Sequence, residues 1–172
     1  MADTLRTRPA DPGDGPRLYR LDHDSWSTVS EVSERSAPPG PDSTLFDEDR
    51  HRVQDYLVAE LDGEVVGYVR LVPPTQLPSN AHIRQISGLA VDPSARRRGV
   101  GAALVAAAVE QARRVGARWV TLRVLGHNTA ARRLYQAAGF AVEGTVPEEF
   151  CLDGRYADDV LMGLTLRADP LG

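Results

Sequence analysis

The chain contains no lysine: all 20 of its basic residues are arginine. GC-rich coding produces that bias, so it carries no function by itself. There is one cysteine, Cys151, which excludes an internal disulfide and with it the disulfide-stapled secreted scaffolds. Cys151 is expected as a buried neutral thiol rather than as an acyl-carrying nucleophile. Long apolar runs are also lacking. None approaches the ~18 residues of a membrane-spanning helix, and Asp3, Asp11 and Asp14 leave no hydrophobic signal core at the N-terminus. A reducing, cytoplasmic setting without a membrane partner is therefore expected. Aromatics are scarce at 6%, too few to interleave with the arginines as base-stacking platforms, so no nucleic-acid partner is expected. His23, His51, His82 and His127 are scattered without cysteine or carboxylate ligands at metal-binding spacing, so no metal site is expected.

What is present suits a globular α/β protein. A length of 172 residues fits a single domain over residues 1–172, and 42% hydrophobic with 26% charged residues is an ordinary balance for one. The overall charge of −4 is unevenly distributed: residues 1–90 carry a net −6, residues 91–135 a net +7, and residues 136–172 a net −5. A basic middle between acidic flanks suits an anionic ligand held beside a cationic one.

Residues 4–8 alternate as a first strand that Pro9 ends. Residues 14–30 have helical spacing, with Leu18, Leu21 and Trp26 at buried positions. A proline-rich loop over 36–43 precedes a second helix over 45–54. Two apolar runs, 55–61 and 64–72, are joined by Asp62-Gly63, a hairpin signal. Pro73, Pro74 and Pro78 mark a loop, and a longer strand spans 81–91 with Gly88 as a bulge or a point of close approach. Beyond Gly99, Val100, Leu104, Ala108 and Val115 line one face of a helix stopped by Gly116. Residues 119–125 form a strand, Asn128 caps a helix that ends at Gly139, and residues 140–146 and 157–166 close the sheet.

The most informative stretch is residues 86–104. Its apolar run ends at Asp92-Pro93, Arg96, Arg97 and Arg98 follow, and Gly99-Val100-Gly101-Ala102 opens the long helix. Backbone N–H groups at a helix start lack intrahelical partners, and glycines there let an anion approach them. Arginines add forked donors that match phosphate oxygens. A nucleotide P-loop requires Lys-Ser or Lys-Thr after its second glycine, where Ala102-Ala103 stands, and a dinucleotide fingerprint requires a third glycine where Leu104 stands. The stretch reads instead as a pyrophosphate cradle at a strand-to-helix junction.

The spacing Arg96-x-x-Gly99-x-Gly101 after Leu89-Ala90-Val91 resembles the acetyl-coenzyme A signature of the GNAT N-acetyltransferases. About 30 residues on, Asn128-x-x-Ala131-x-x-Leu134-Tyr135 followed by Gly139-Phe140 resembles that family's second signature, so the resemblance covers about residues 55–166. It implies the GNAT fold: a mixed, mostly antiparallel twisted sheet of about six to seven strands, flanked by helices and splayed at the acetyl-CoA site. It further implies acetyl-CoA as acyl donor, with Arg96, Arg97, Arg98, Gly99, Val100, Gly101 and Ala102 at the pyrophosphate. Leu89, Ala90 and Val91 would act as backbone ligands along pantetheine, with a backbone N–H near Leu89 at the oxyanion. Asn128 and Ala131 would lie beside the pantetheine arm, with Arg132 and Arg133 reaching the 3′-phosphate or solvent. Tyr135 would be the general acid that protonates the leaving thiolate. Family members are often homodimers.

One departure is clear. Where many family members carry a glutamate base on the strand before the cradle, this chain has Gln85 and Ser87. Glu148 and Glu149, then His82 and Asp159, are the candidates left for a base. The expected activity is transfer of an acetyl group to a primary amine of a small molecule, or to a protein N-terminus, by direct attack in a ternary complex. A non-catalytic acyl-CoA sensor or assembly domain is the alternative. Without lysine, the protein has no lysine side chain of its own to acetylate.

Overall fold

Alternating apolar positions and tight turns build the sheet, and three segments with helical apolar spacing build its cover. The computed structural model describes residues 4–166. In chain order these are β1 (Leu5–Pro9), α1 (Gly15–Ser25), β2 (Tyr56–Leu61), β3 (Glu64–Val72), β4 (Ile83–Val91), α2 (Val100–Arg114), β5 (Trp119–Leu125), α3 (Thr129–Ala137), β6 (Ala141–Leu152) and β7 (Arg155–Thr165). The strands form one seven-stranded sheet in the order β1-β2-β3-β4-β5-β7-β6. Only β4 and β5 run parallel, which matches the mixed, mostly antiparallel sheet expected from the sequence. The β2–β3 and β6–β7 hairpins turn on Asp62-Gly63 and Asp153-Gly154, and both residues of each pair have positive φ. That is the geometry whose twist matches paired strands.

The two faces of the sheet are covered separately. Leu18 and Leu21 of α1 pack with Tyr56, Val58, Tyr68 and Ala90 on one face. Val100, Leu104, Val105 and Ala108 of α2 pack with Val69, Ile86, Val120 and Leu122 on the other. Each fully buried valine, leucine or isoleucine among these contributes ~1.5–3 kcal/mol of burial free energy. Near the free edge of the sheet, the Arg8 guanidinium reaches Glu60 of β2 at 2.7 Å and Asp14 at 2.8 Å. It thereby fastens β1 to the start of α1.

The segment between α1 and β2 departs from expectation. The helix α1 stops at Ser25, and Trp26 is only partly buried, with its indole N–H donating to Ser33 O at 2.9 Å. No α-helix forms over residues 45–54, where a single 3₁₀ turn at Val53–Asp55 leads into β2. The Asp47 carboxylate accepts from the N–H groups of Asp49, Arg50 and His51, and such local side-chain bonds replace the helical ladder. Phe46 turns inward to meet the Tyr56 ring edge-on at 5.4 Å. At the other end of the chain, β6 runs on to Leu152, well past residue 146. It is the outermost strand, exposed along most of its length, and it carries Cys151 exposed rather than buried.

Candidate acetyl-CoA site

The cradle stretch is built around Asp92, where β4 ends. Its carboxylate accepts from the Ser94 N–H at 2.9 Å, from the Ser94 hydroxyl at 2.6 Å, and from Arg17 of α1 at 2.6 Å. These bonds, the Ser94 hydroxyl foremost and then Arg17, hold the Asp92 pKa down at about 2 against the desolvation that opposes them. They pin the single 3₁₀ turn at Pro93–Ala95, with Ala95 tucked into the core. Arg97 and Gly99 then adopt φ of 63° and 80°, which swings the chain into α2 with no side chain capping it. Ala103 is the first residue whose N–H reaches the carbonyl of Gly99, at 3.0 Å. The N–H groups of Val100, Gly101 and Ala102 therefore point out of the helix end without helical acceptors. Arg96, Arg97 and Arg98 stand exposed around them.

A carboxylate with a depressed folded pKa stabilises the fold above its unfolded pKa of ~3.9, and that contribution is lost as pH falls through the folded value. Thermal melts should therefore show the Asp92 contribution in full above about pH 4 and lose it towards pH 2. Asp92→Asn should lower Tm at pH 7 and flatten this part of the acid limb. An unchanged acid limb in the variant would show that the turn is held by other groups.

The splay expected between β4 and β5 is present. Their pairing runs from Ile83↔Trp119 to Ile86↔Leu122 and stops there. On the other side, β4 bulges where Arg70 of β3 lies opposite Ser87 and Gly88, and Gly88 has φ of 142°. Pairing with β3 resumes at Leu89, Ala90 and Val91, which leaves the β5-facing edge of these three residues without a strand partner. A cleft of about 390 Å³ opens in the gap. Leu89, Asn128, Ala131 and Tyr135 line it, as do Gln85 and Ser87. Ala90 turns its side chain to α1, and Val91 packs on the α2 side.

The second signature is a positioning device for Tyr135. Asn128 accepts the Ala131 N–H at 3.1 Å and caps α3. At the far end, Gly139 (φ 96°) stops the helix, with Gly139 N–H bonded to Gln136 O and Phe140 N–H to Tyr135 O. That double bond pattern is a Schellman motif. It brings Phe140 edge-on to the Tyr135 ring at 5.8 Å. Tyr135 is 7% exposed, and its hydroxyl lines the cleft with no hydrogen-bond partner among the described residues. Burial, and then the charge of Glu31, push its pKa up to about 12. The Arg132 guanidinium folds back on Gly126 O at 3.1 Å, and Arg133 is exposed.

The candidate bases separate by position. Glu148, Glu149 and His82 are exposed and do not line the cleft. Asp159 does line it, 2% exposed, but its carboxylate is gripped by Arg123 through Nε and Nη2. Two charged lining residues escaped the sequence reading. Arg123 sits in a strand read only for its apolar positions. Glu31 sits in the irregular stretch after α1, where no periodicity marks which way a side chain points.

A profile of the Acetyltransferase (GNAT) family matches residues 16–140. The chain is 36% identical over 141 residues to a mycothiol acetyltransferase of Sanguibacter keddieii, covering 77% of this chain and 45% of that protein. It is 30% identical over 132 residues to the L-amino acid N-acetyltransferase AaaT of Escherichia coli, covering 72% of this chain and 77% of that one. The chain thus spans about half the length of the mycothiol acetyltransferase it matches. Among solved structures, yncA of Salmonella typhimurium, determined with its cofactor acetyl-CoA, superposes with a TM-score of 0.81 at 22% identity, over 96% of this chain and 95% of that one. With the family profile matched across most of its length and the splayed sheet in place, the chain belongs to the GNAT acetyltransferase family.

Proposed function

We propose that this chain forms the catalytic domain of an acetyl-CoA-dependent N-acetyltransferase, acting on a primary amine by direct attack in a ternary complex. The observation that carries this reading is the pairing of an open β4 edge with Tyr135, a buried residue in the same cleft whose hydroxyl has no partner among the described residues. The N–H groups of Val100, Gly101 and Ala102, with Arg96, Arg97 and Arg98, take the pyrophosphate of the coenzyme. Backbone groups of Leu89, Ala90 and Val91 hold the pantetheine arm as an added strand would be held, and the Asn128 amide group and Ala131 flank it. A backbone N–H at Leu89 stabilises the charge that develops on the acetyl oxygen. Tyr135 donates to the departing sulfur. Relatives named for mycothiol and L-amino acids favour a small-molecule acceptor.

The test is release of coenzyme A from acetyl-CoA with a panel of amino acids, polyamines, aminoglycosides and peptides with free N-termini. A thiol reagent will also label exposed Cys151, once per chain, so turnover is read beyond that first equivalent. The expected result is release that depends on one acceptor class. Tight acetyl-CoA binding without release would assign the domain to acyl-CoA sensing instead.

A further inference from the structure

An ammonium must lose a proton before its nitrogen can attack, and the β4 positions in the cleft hold Gln85 and Ser87, neither of which can take it. We infer that Glu31 binds the acceptor's ammonium in this cleft and accepts that proton. The inference rests on the N-acetyltransferase reading of the cleft.

Position comes first. Glu31 and Asp159 are the carboxylates that line the cleft. Asp159 is committed to Arg123, whereas the Glu31 side chain has no ion pair or hydrogen bond among the described residues. The groups that face it come from every element packed around it. They are Asp22 of α1, Tyr68 of β3, Tyr135 of α3, and the Arg123–Asp159 pair of β5 and β7. Asp22 accepts the Tyr68 hydroxyl at 2.8 Å, which fixes it behind Glu31 rather than in the cleft. Burial, and secondarily the charge of Asp22, raise the Glu31 pKa, which is the direction that strengthens a carboxylate as a base. The two groups with unsatisfied chemistry, the Glu31 carboxylate and the Tyr135 hydroxyl, thus share one 390 Å³ space.

The steps balance. One proton passes from the ammonium to the Glu31 carboxylate and on to solvent. The nitrogen lone pair forms the C–N bond to the acetyl carbon, the C–S bond breaks, and its electron pair leaves on sulfur. The second proton of the nitrogen is shed as the amide forms and neutralises the sulfur, with the Tyr135 hydroxyl bridging to it. The acceptor class is an alkyl amine that is cationic at neutral pH, since only such an amine needs and recognises this carboxylate.

The test uses the full chain, acetyl-CoA, and the amine from the panel above that gives the fastest release. Glu31→Gln should lower kcat/KM about 10²-fold at pH 7, with the acetyl-CoA dissociation constant within about threefold of wild type. Only the neutral amine reacts in that variant. Its deficit should therefore close about tenfold per pH unit as pH approaches the amine's own pKa, and Glu31→Asp should regain part of the rate. A Glu31→Gln enzyme within threefold of wild type at pH 7 overturns the inference. So does a deficit that stays constant with pH, which marks a structural role. If wild type turns over no amine, the N-acetyltransferase reading fails and Glu31 falls with it. Wild-type turnover with an indifferent Glu31→Gln removes Glu31 alone.

Discussion

Replacing Tyr135 with phenylalanine is expected to lower kcat by about 10²-fold while the acetyl-CoA dissociation constant stays within about threefold. The substitution keeps the ring, its edge-on contact with Phe140, and the Schellman bonds that end α3, so the helix and its neighbours stay in place. Only the hydroxyl is lost. Because it has no partner among the described residues, its removal should leave Tm unchanged or slightly higher. The raised pKa of about 12 sharpens the role. Full proton transfer from that phenol to a thiolate whose acid has a pKa of ~8.5 is uphill by roughly 3.5 units, or ~5 kcal/mol. In the proposed mechanism Tyr135 would therefore serve as a strong hydrogen-bond donor to the developing thiolate, with the sulfur neutralised as the nitrogen sheds its own proton. No titration of Tyr135 should appear in the pH–rate profile below about pH 11. Steady-state kinetics and calorimetry on the purified variant separate the two parameters. An unchanged kcat, or lost acetyl-CoA binding, would reduce Tyr135 to a packing residue.

The second large effect is expected at the cradle. Gly101→Val should weaken acetyl-CoA binding by about 10–10²-fold, with kcat at saturation less affected. A β-carbon at Gly101 would lie 3.3 Å from Leu134 Cδ2, already tighter than most side-chain contacts, and valine adds two methyl groups there. The branched side chain must push α3 away or tilt the first turn of α2. Either movement takes the N–H groups of Val100, Gly101 and Ala102 off the position where they converge. Loss of one or two charge-assisted hydrogen bonds, each worth ~1.5–3 kcal/mol, is about 10–10²-fold or more in affinity. Gly101→Ala, which adds only the β-carbon, should fall between the two. Isothermal titration of all three proteins checks the order. Equal affinities would place the coenzyme's phosphates elsewhere.

The fold was legible where its determinants are local. Asp62-Gly63 specifies its hairpin turn through positive φ, and Gly116 and Gly139 stop their helices at the positions read from the chain. The cradle and α3 signatures were legible because glycine and asparagine spacing encodes backbone geometry directly. The splay is different. The bulge at Gly88 could be read, but the point where β4 and β5 part depends on which strands pair, and the resemblance supplied that. Residues 26–30 and 45–54 were misread as helical, although the loop over 36–43 was read correctly, because side chains hold this region through bonds to distant backbone groups. Arg35 donates to His23 O and Tyr19 to Ala37 O, and no periodic pattern records such contacts. Glu31 lies in that stretch, so its place in the cleft was invisible from sequence. Cys151 was misjudged for a related reason: an outer strand looks like a central one until its partners are known.

The most direct measurement is a ¹⁵N-resolved NMR titration of the full chain with acetyl-CoA. Saturable binding should move the amides of Gly99, Val100, Gly101 and Ala102 most, followed by those of Leu89, Ala90 and Val91 along the open β4 edge. Binding that leaves both groups of amides unmoved, or no binding at all, would contradict the assignment of the cradle and the splay to the coenzyme.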